Sequence, residues 1–485
     1  KAKKNGEKSM QNSYEQLTLG DIYSDIAKCF EEEKPRFFRL MEQHINWDSI
    51  IPKSFYNTFY RRMGRKRVYS LESYICMLVL QKLFGYVEDT QLLNTLKHSK
   101  EMRDFCGLQK VPDAAKITRF KQQFAVQLEQ LFYSLVDLTE PICQSISKEM
   151  ADTLQFDTSG IESYVTENNP KFQSKLLKQA KSYCKNKPDA DPYKMVYHLM
   201  PDHADANFAV KQQYINGHFC YAQKFGIVTN GLGIVRHVSL FDENFKSHHP
   251  ELIVEKKSDN PDEDKEIGDS SALRPILNDF FKAHPSFPSH TFVGDAAFDS
   301  YDNYEWLMGT RGFKRAIVPL NLRNSKSMQS VDFNENGEPL CPLNSTLPLL
   351  YMGVCKGQNR SQRLKWVCPK SAPVGTSRKC NCPHPCSQSP YGRTVYTYPH
   401  KNRRLYPGIA RGCEEWVAIY KNRTAIERCI QSLKGSFCLD GRKTYNALTT
   451  KADLLLAAIV QLIGVVLADA VHQTQFLRRA RKLIA

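Results

Sequence analysis

Residues 420–434, YKNRTAIERCIQSLK, place several reactive side chains on one face of a predicted helix. At about 100° per residue, four of them fall within roughly 60° of arc along about 21 Å of helix: Tyr420, Arg423, Glu427 and Lys434. A stripe of isoleucine, leucine and phenylalanine runs beside them and can pack against a core. The stretch therefore predicts a helix that buries one stripe and presents a carboxylate among phenolic and cationic groups.

The same face also has a simpler interpretation. Arg423 and Glu427 are four residues apart, and ion pairs at this spacing are common on exposed helices. The rest of the chain has to decide between a solvated face and a binding site.

Composition and charge narrow the class of protein. The chain has 485 residues and is 41% hydrophobic, which is enough for a globular protein with more than one domain or one large decorated domain. The formal charge is +16, and it favours a polyanionic partner, with nucleic acid first. A basic protein that is merely kept in solution by its charge is the alternative.

One apolar run, LLLAAIVQLIGVVLADAV from Leu454, resembles a membrane span by composition. Gln461 interrupts it, and Asp453 and Asp469 flank it closely, so a buried core helix is the better prediction. Residues 1–19 are polar and lack the apolar segment of a secretion signal. We expect a flexible tail there and a cytoplasmic, nucleoid-associated protein of bacterial type.

Residues 20–150 have helical periodicity, with few runs typical of strands. We predict a helical N-terminal DNA-binding domain over this range. The basic run RRMGRKR at 61–67 would contact the DNA backbone through five cations: Arg61, Arg62, Arg65, Lys66 and Arg67. A solvated basic surface is the alternative.

Residues 151–322 and 412–475 read as an α/β catalytic core with a mixed sheet and flanking helices. Asp157 and Asp295 each lie at the C-terminal end of a predicted buried strand, and Asn230 begins a hairpin turn. Ligands gather at the carboxyl ends of strands in α/β sheets. Together with Glu427 these carboxylates would suit Mg²⁺ or Mn²⁺, which prefer oxygen ligands. A cap or turn role is the alternative for each aspartate.

Four stretches carry a resemblance to a known family. They are FDTSGIES (156–163), FVGDAAFDS (292–300), the pattern Tyr-x2-Arg-x3-Glu-x6-Lys of residues 420–434, and the helical segments YSLESYICMLVLQKLFGYVEDTQLLNTL (69–96) and VPDAAKITRF (111–120). The chain resembles a DDE transposase of a bacterial insertion sequence, with a ribonuclease-H-like catalytic core.

The resemblance implies that Asp157, Asp295 and Glu427 are the catalytic ligands of two Mg²⁺ or Mn²⁺ ions. It also implies that Tyr420, Arg423 and Lys434 hold DNA phosphates. The expected reaction is cleavage of the element's terminal inverted repeats, with or without a hairpin intermediate, followed by joining to target DNA. Double-stranded DNA and a second copy of the chain, as a homodimer, are the expected partners.

Two details stay open within this resemblance. Asp299 lies close to Asp295 and is the competing candidate for the second acidic position. Trp306 or Trp366 could stack on an extruded base, although each is more simply explained as a core residue.

Residues 323–411 form an insertion that contains six of the fifteen cysteines. Their density beside prolines predicts a zinc module with thiolate ligands. The preferred ligand set is Cys341, Cys368, Cys382 and Cys386, with Cys355 and Cys380 as substitutes. Reduced structural cysteines and disulfides are the alternatives. The basic and aromatic stretch that follows, residues 391–407, is typical of DNA contact or of an ordinary strand pair.

Three other functions compete with transposition. The chain could be a transposase-derived DNA-binding protein without cleavage, or a non-mobile nuclease of the same fold. An adaptor built around the zinc module is the third, and it leaves the three carboxylates unexplained.

Overall fold

The computed structural model describes residues 18–20, 22–24, 26, 35–61, 66–185, 187, 190–215, 217–253, 267–321, 332–357 and 361–483. Most of the predicted tail at 1–19 lies outside these residues, and so do Arg62 and Arg65 of the basic run.

The first part of the chain is helical. Its helices are α1 (Arg36–His44), α2 (Trp47–Ile50), α3 (Lys53–Phe59), α4 (Leu71–Phe84), α5 (Asp89–His98), α6 (Lys100–Phe105), α7 (Ala114–Gln123), α8 (Ala125–Ile146) and α9 (Lys148–Ala151). Ser70 caps the start of α4, and Gly85 ends it in the left-handed conformation at φ 79°. The helical path breaks at Phe124, which separates α7 from α8.

A seven-stranded mixed sheet forms the second part. Its strands are β1 (Thr153–Glu162), β2 (His203–Ala204), β3 (Asn207–Ile215), β4 (His218–Asn230), β5 (Val235–Leu240), β6 (Thr291–Val293) and β7 (Arg315–Ile317). The order is β2-β3-β4-β1-β6-β7, and β5 also pairs with β4. Strand β1 is antiparallel to β4 and parallel to β6, which confirms a mixed α/β architecture.

Five helices accompany the sheet: α10 (Pro170–Cys184), α11 (Pro192–Leu199), α12 (Glu243–His248), α13 (Asp269–Ala283) and α14 (Tyr301–Tyr304). The sequence predicted the β4–β5 hairpin, and the register from Phe225–Leu240 to Thr229–Val235 confirms it. It did not predict β2, β3, α10 or α11, which occupy most of residues 163–215.

The prediction that the first core strand ends at Asp157 is wrong. Parallel pairing of β1 with β6 stops at Gln155, but antiparallel pairing with β4 continues to Glu162. The strand is held by its longer neighbour, so Asp157 lies inside β1 at the point where the parallel side ends. Strand β7 is short and covers only three residues, Arg315–Ile317.

The cysteine-rich insertion consists of short strands: β8 (Leu340–Cys341), β9 (Asn344–Pro348), β10 (Leu350–Cys355), β11 (Arg363–Val367), β12 (Ser371–Val374), β13 (Ser377–Cys380) and β14 (Thr394–Thr397). Trp366 is buried in a small core, and its indole Nε1 donates to Thr397 Oγ1 at 2.9 Å. This supports the core interpretation of that tryptophan. Strand β14 pairs with β11, as the strand-pair interpretation of residues 391–407 requires.

The last helices are α15 (Glu414–Tyr420), α16 (Thr424–Gln431) and α17 (Ala447–Ala470). By length and composition α17 could cross a membrane, but 89% of its apolar window is buried inside the protein. It packs against α1, α4, α7, α8 and β5. The prediction of a core helix is confirmed. One continuous hydrophobic core therefore joins the N-terminal helices to the sheet.

Buried charges reinforce this junction. Asp453 of α17 contacts Lys82 Nζ and Lys121 Nζ, each at 3.2 Å, and Arg442 Nε at 2.6 Å. Asp89 accepts from Lys121 and Arg442 at 3.0 and 2.8 Å. Burial alone would raise the pKa of Asp453, but the surrounding cations hold it well below its ordinary value.

Candidate active site

A continuous helical path positions the residues of the opening stretch, but its winding changes twice. The chain passes from α15 through a 3₁₀ turn at Lys421–Arg423 into α16, and then into a π-helical turn at Ser432–Ser436. Gly435 lies inside this last turn. Single π-helical turns of this kind are frequent at functional sites.

Three carboxylates from separate elements converge on Arg423. Its Nη2 donates to Asp295 Oδ2 at 2.8 Å, and its Nη1 donates to Glu427 Oε1. Asp157 on β1 also interacts electrostatically with this guanidinium. The ion pair of the simpler interpretation therefore exists, and it forms part of a larger acidic cluster.

Burial and neighbouring carboxylates both favour the neutral form of Asp157. Burial is the largest cause that raises the pKa of Asp157 to about 6, and the carboxylates of Asp295 and Asp269 contribute to the same rise. The Thr158 N–H, which donates to Asp157 Oδ1 at 2.8 Å, and Arg423 oppose the shift. A half-buried cluster of oxygen ligands with surplus negative charge fits hard divalent cations such as Mg²⁺ or Mn²⁺.

The geometry separates the two neighbouring aspartates. Asp299 is fully buried; Arg404 Nη2 donates to its Oδ2 at 2.8 Å, and Asn321 N donates at 2.6 Å. Asp295 follows β6 and caps a 3₁₀ turn through Ala297 N at 2.9 Å. Its side chain remains about half exposed, facing Arg423. The Asp299 carboxylate is thus engaged in buried contacts with Arg404 and Asn321, and Asp295 is the aspartate that joins the carboxylate cluster.

Lys434 departs from the predicted face. It was expected on an exposed stripe, but only 7% of it is accessible, and its Nζ donates to Gly160 O at 2.7 Å. The expectation of exposure is wrong because β1 continues past Asp157 and covers the amine. Tyr420 is half-buried and stacks on Trp416 with ring centroids 4.9 Å apart.

Sequence reasoning missed two residues behind Asp157, which are Asp269 and Lys224. Thr158 Oγ1 donates to Asp269 Oδ1, and Lys224 Nζ forms an ion pair with the same carboxylate, both at 2.5 Å. The available signal was weak: Asp269 is the first residue of α13, where an acidic side chain is ordinarily favoured by the helix dipole.

The predicted basic run borders a groove on the N-terminal helices. Arg61 and Lys66 are exposed, whereas the Arg67 guanidinium lies 4.1 Å from the centre of the Phe59 ring and donates to Phe59 O at 2.6 Å. The groove has a volume of about 370 Å³, and its cationic lining is Lys66, Arg67, Lys116 and Arg119. Sequence reasoning missed the last two, which lie one turn apart on α7.

The predicted zinc ligands surround one cavity of the insertion. Its volume is about 200 Å³, and the cysteines that line it are Cys341, Cys368, Cys380, Cys382 and Cys386. Burial raises the pKa of Cys386, and the neighbouring Cys341 thiol raises it as well. Cys355 is not in this lining. All fourteen cysteines among the described residues are free thiols, so the disulfide alternative is not observed there. The donor set fits Zn²⁺, which thiolates bind readily.

We expect the affinity of the carboxylate cluster for Mn²⁺ to weaken as the pH falls below about 6. The folded-state pKa of Asp157 is raised from 3.8 to about 6, so between these values the folded carboxyl keeps a proton that a cation must displace. Because this pKa is higher in the folded chain than its ordinary value, ionising Asp157 lowers the free energy of unfolding of the metal-free chain as the pH rises from about 4 to about 6. Calorimetric titration at about pH 5 should give an affinity about tenfold weaker than at about pH 7. Equal affinities at the two pH values would contradict the assignment.

Comparison with known proteins adds one relationship. Residues 26–123, which include most of the basic groove, match the family model of a transposase domain (DUF772). No curated protein matches the chain. The predicted relationship to transposases is confirmed for this helical region, which is about a fifth of the chain.

Proposed function

We propose that the chain is a DDE transposase that binds the terminal inverted repeats of an insertion sequence, cleaves them and joins them to target DNA. The observation that carries the proposal is the convergence of Asp157, Asp295 and Glu427 in a chain that also contains a transposase domain. The strand order β5-β4-β1-β6-β7, antiparallel on one side of β1 and parallel on the other, supports a ribonuclease-H-like core.

Asp157, Asp295 and Glu427 would hold two Mg²⁺ or Mn²⁺ ions. Bound there, the ions would supply activation of water or a 3′-hydroxyl and neutralisation of the scissile phosphate. Without them, Arg423 neutralises the carboxylates. With cations held by the carboxylates, the guanidinium would be free to bind a phosphate oxygen in a bidentate manner. Arg423 would thus act both as a resting counter-ion and as a phosphate clamp.

Tyr420 and Lys434 have narrower parts in this proposal. Tyr420 is held by its stack on Trp416 and would present its hydroxyl to the DNA backbone. Lys434 would reach a phosphate only by rearranging its contact with Gly160 O, so we assign it first to fixing the π-helical turn against β1.

The groove on the N-terminal helices is proposed to hold duplex DNA. Arg119 is exposed on α7, and Lys66 and Arg67 approach it from the basic run. Cations along such a groove bind phosphates independently of sequence. Zinc in the cysteine-lined cavity would stabilise the insertion.

Because both ends of an element must be cut together, a homodimer on two DNA ends is the proposed active form.

Arg119→Ala should weaken binding to end DNA and flatten its dependence on salt. Removing one phosphate contact is expected to lower the log–log slope by about one unit. The melting temperature should hardly change because the side chain is exposed. Binding isotherms at several salt concentrations test this, with Arg36→Ala, an exposed arginine of α1 outside the groove, as the matched control. An unchanged slope for Arg119→Ala would remove α7 from the DNA interface.

The function itself is tested on the DNA that borders the gene. Purified protein is incubated with a labelled duplex carrying one end of the element, with Mg²⁺ or Mn²⁺, and the products are resolved on denaturing gels. Cleavage at the element boundary and joining to a second duplex are expected. Binding without cleavage would support a DNA-binding protein derived from a transposase, and cleavage without joining would support a nuclease. Mass photometry of the cleaving complex should show two chains with two ends.

A further inference from the structure

A second group of metal-ligating side chains lies at the far end of the catalytic strand. The ligand atoms of Glu162, His218 and Cys220 all lie within 4.8 Å of one another, and His218 Nε2 is 3.1 Å from Glu162 Oε1. Among the residues that the structure describes, no other group of three or more histidine, cysteine, aspartate or glutamate side chains lies as close together.

Strand pairing fixes these positions. Glu162 is the last residue of β1 and lies opposite Ala222 of β4. Cys220 and His218 precede Ala222 by two and four residues, so all of these side chains point to the same face of the sheet. His218 belongs to the last pair of the β3–β4 hairpin, opposite Ile215. The three ligands are therefore brought together by backbone hydrogen bonds and not by chance encounters of mobile side chains.

We propose that Glu162, His218 and Cys220 bind one Zn²⁺ ion. A thiolate, an imidazole and a carboxylate are the ligands that Zn²⁺ combines in proteins, whereas Mg²⁺ has little affinity for sulfur. Metal–ligand bonds of about 2.0–2.3 Å in a tetrahedron separate neighbouring ligand atoms by roughly 3.3–3.7 Å. The 3.1 Å between His218 and Glu162 needs only a small adjustment to reach this range.

The two sides of the group differ in access. The Cys220 side chain is buried, while those of His218 and Glu162 are about half exposed. An ion can enter from the solvent side, and the thiol proton leaves to solvent as the sulfur–metal bond forms. The fourth position remains open to water or to Asp440, whose charge acts on the same thiol.

Negatively charged groups outnumber positively charged groups around these three ligands, which favours a bound cation. Lys434 is the ammonium that acts on the Cys220 thiol, and the carboxylates of Glu162 and Asp440 face it there. The site is separate from the carboxylate cluster, because five residues of strand from Asp157 to Glu162 span about 16 Å. An ion at this place would tie the tip of the β3–β4 hairpin to the strand that carries Asp157.

Metal content of the full chain tests the proposal. Protein stripped with a chelator is reloaded with Zn²⁺, freed of excess ion and measured by inductively coupled plasma mass spectrometry. His218→Ala should hold one ion fewer per chain than the wild type. His198→Ala, an exposed histidine of α11, is the matched control and should hold the wild-type number. Equal metal content in the His218→Ala and wild-type chains would overturn the site.

A second variant and a second probe sharpen the result. Cys220→Ser should also lose one ion, and reloading with Co²⁺ should show weaker sulfur-to-metal absorption than in the wild type. The insertion cysteines remain in every variant, so the difference between chains is the readout and not the total. Because no DNA is used, the outcome is independent of whether the chain proves to be a transposase.

Discussion

Replacing Asp157, Asp295 or Glu427 with alanine is expected to abolish metal-dependent cleavage of end DNA. Each substitution removes an oxygen ligand from a cluster whose bound cations would supply several kcal/mol of transition-state stabilisation, which corresponds to about 10³-fold or more in rate. Binding of the uncleaved end should remain close to that of the wild type, because the groove on the N-terminal helices is untouched. Single-turnover cleavage and equilibrium binding, measured on the same preparations, separate the two effects.

Asp302→Ala is the matched control for this series. Asp302 is an exposed carboxylate of α14, seven residues after Asp295 in sequence, and the cluster does not use it. It should cleave like the wild type. Substantial cleavage by a variant of the trio would remove that residue from the metal site, and Asp299→Asn should then be examined for a catalytic role. Loss of binding together with loss of cleavage would indicate a folding defect.

Asp453→Ala is expected to destabilise the whole chain by about 3–5 kcal/mol. The substitution leaves Lys82 and Lys121 buried and without the anion that contacts both of them. Uncompensated buried charge is costly, and burial already lowers the pKa of Lys82 to about 7. Urea unfolding followed by tryptophan fluorescence and by circular dichroism should give a lower midpoint by both probes.

Lys443→Ala provides the comparison for Asp453→Ala. Lys443 pairs with Glu88 at 2.7 Å, and this pair is exposed to solvent. Its loss should lower the unfolding midpoint only slightly, because an exposed ion pair contributes little to stability. A destabilisation of Asp453→Ala no larger than that of Lys443→Ala would show that the buried network contributes little to joining α4 and α7 to α17.

Local patterns predicted much of this molecule. Hydrophobic periodicity and turn residues predicted the α/β core, the hairpin after Asn230 and the burial of α17. They also placed Asp295 at the end of a strand, which in the structure stops two residues earlier, at Val293. These features depend on residues close together in sequence, where period and turn chemistry act.

The errors arose where distant partners decide the structure. The length of β1 depends on pairing with β4, about seventy residues away, so FDTSG alone could not show that the strand passes Asp157. Lys434 was placed on a uniform α-helix, but the π-helical turn and β1 bury it. The groove unites Arg67 with Arg119, and the metal-ligand group unites Glu162 with His218. No short window of sequence contains either pair.

The position of α17 has a consequence for synthesis of the chain on the ribosome. Helices α1, α4, α7 and α8 emerge first, yet the surface they pack against is made about three hundred residues later. Until α17 leaves the exit tunnel, the apolar faces of these helices lack their partner, and exposed apolar surface of this kind favours aggregation. A chain that ends before α17 is therefore expected to lack a stably folded helical region, because the apolar faces of these helices stay without their partner.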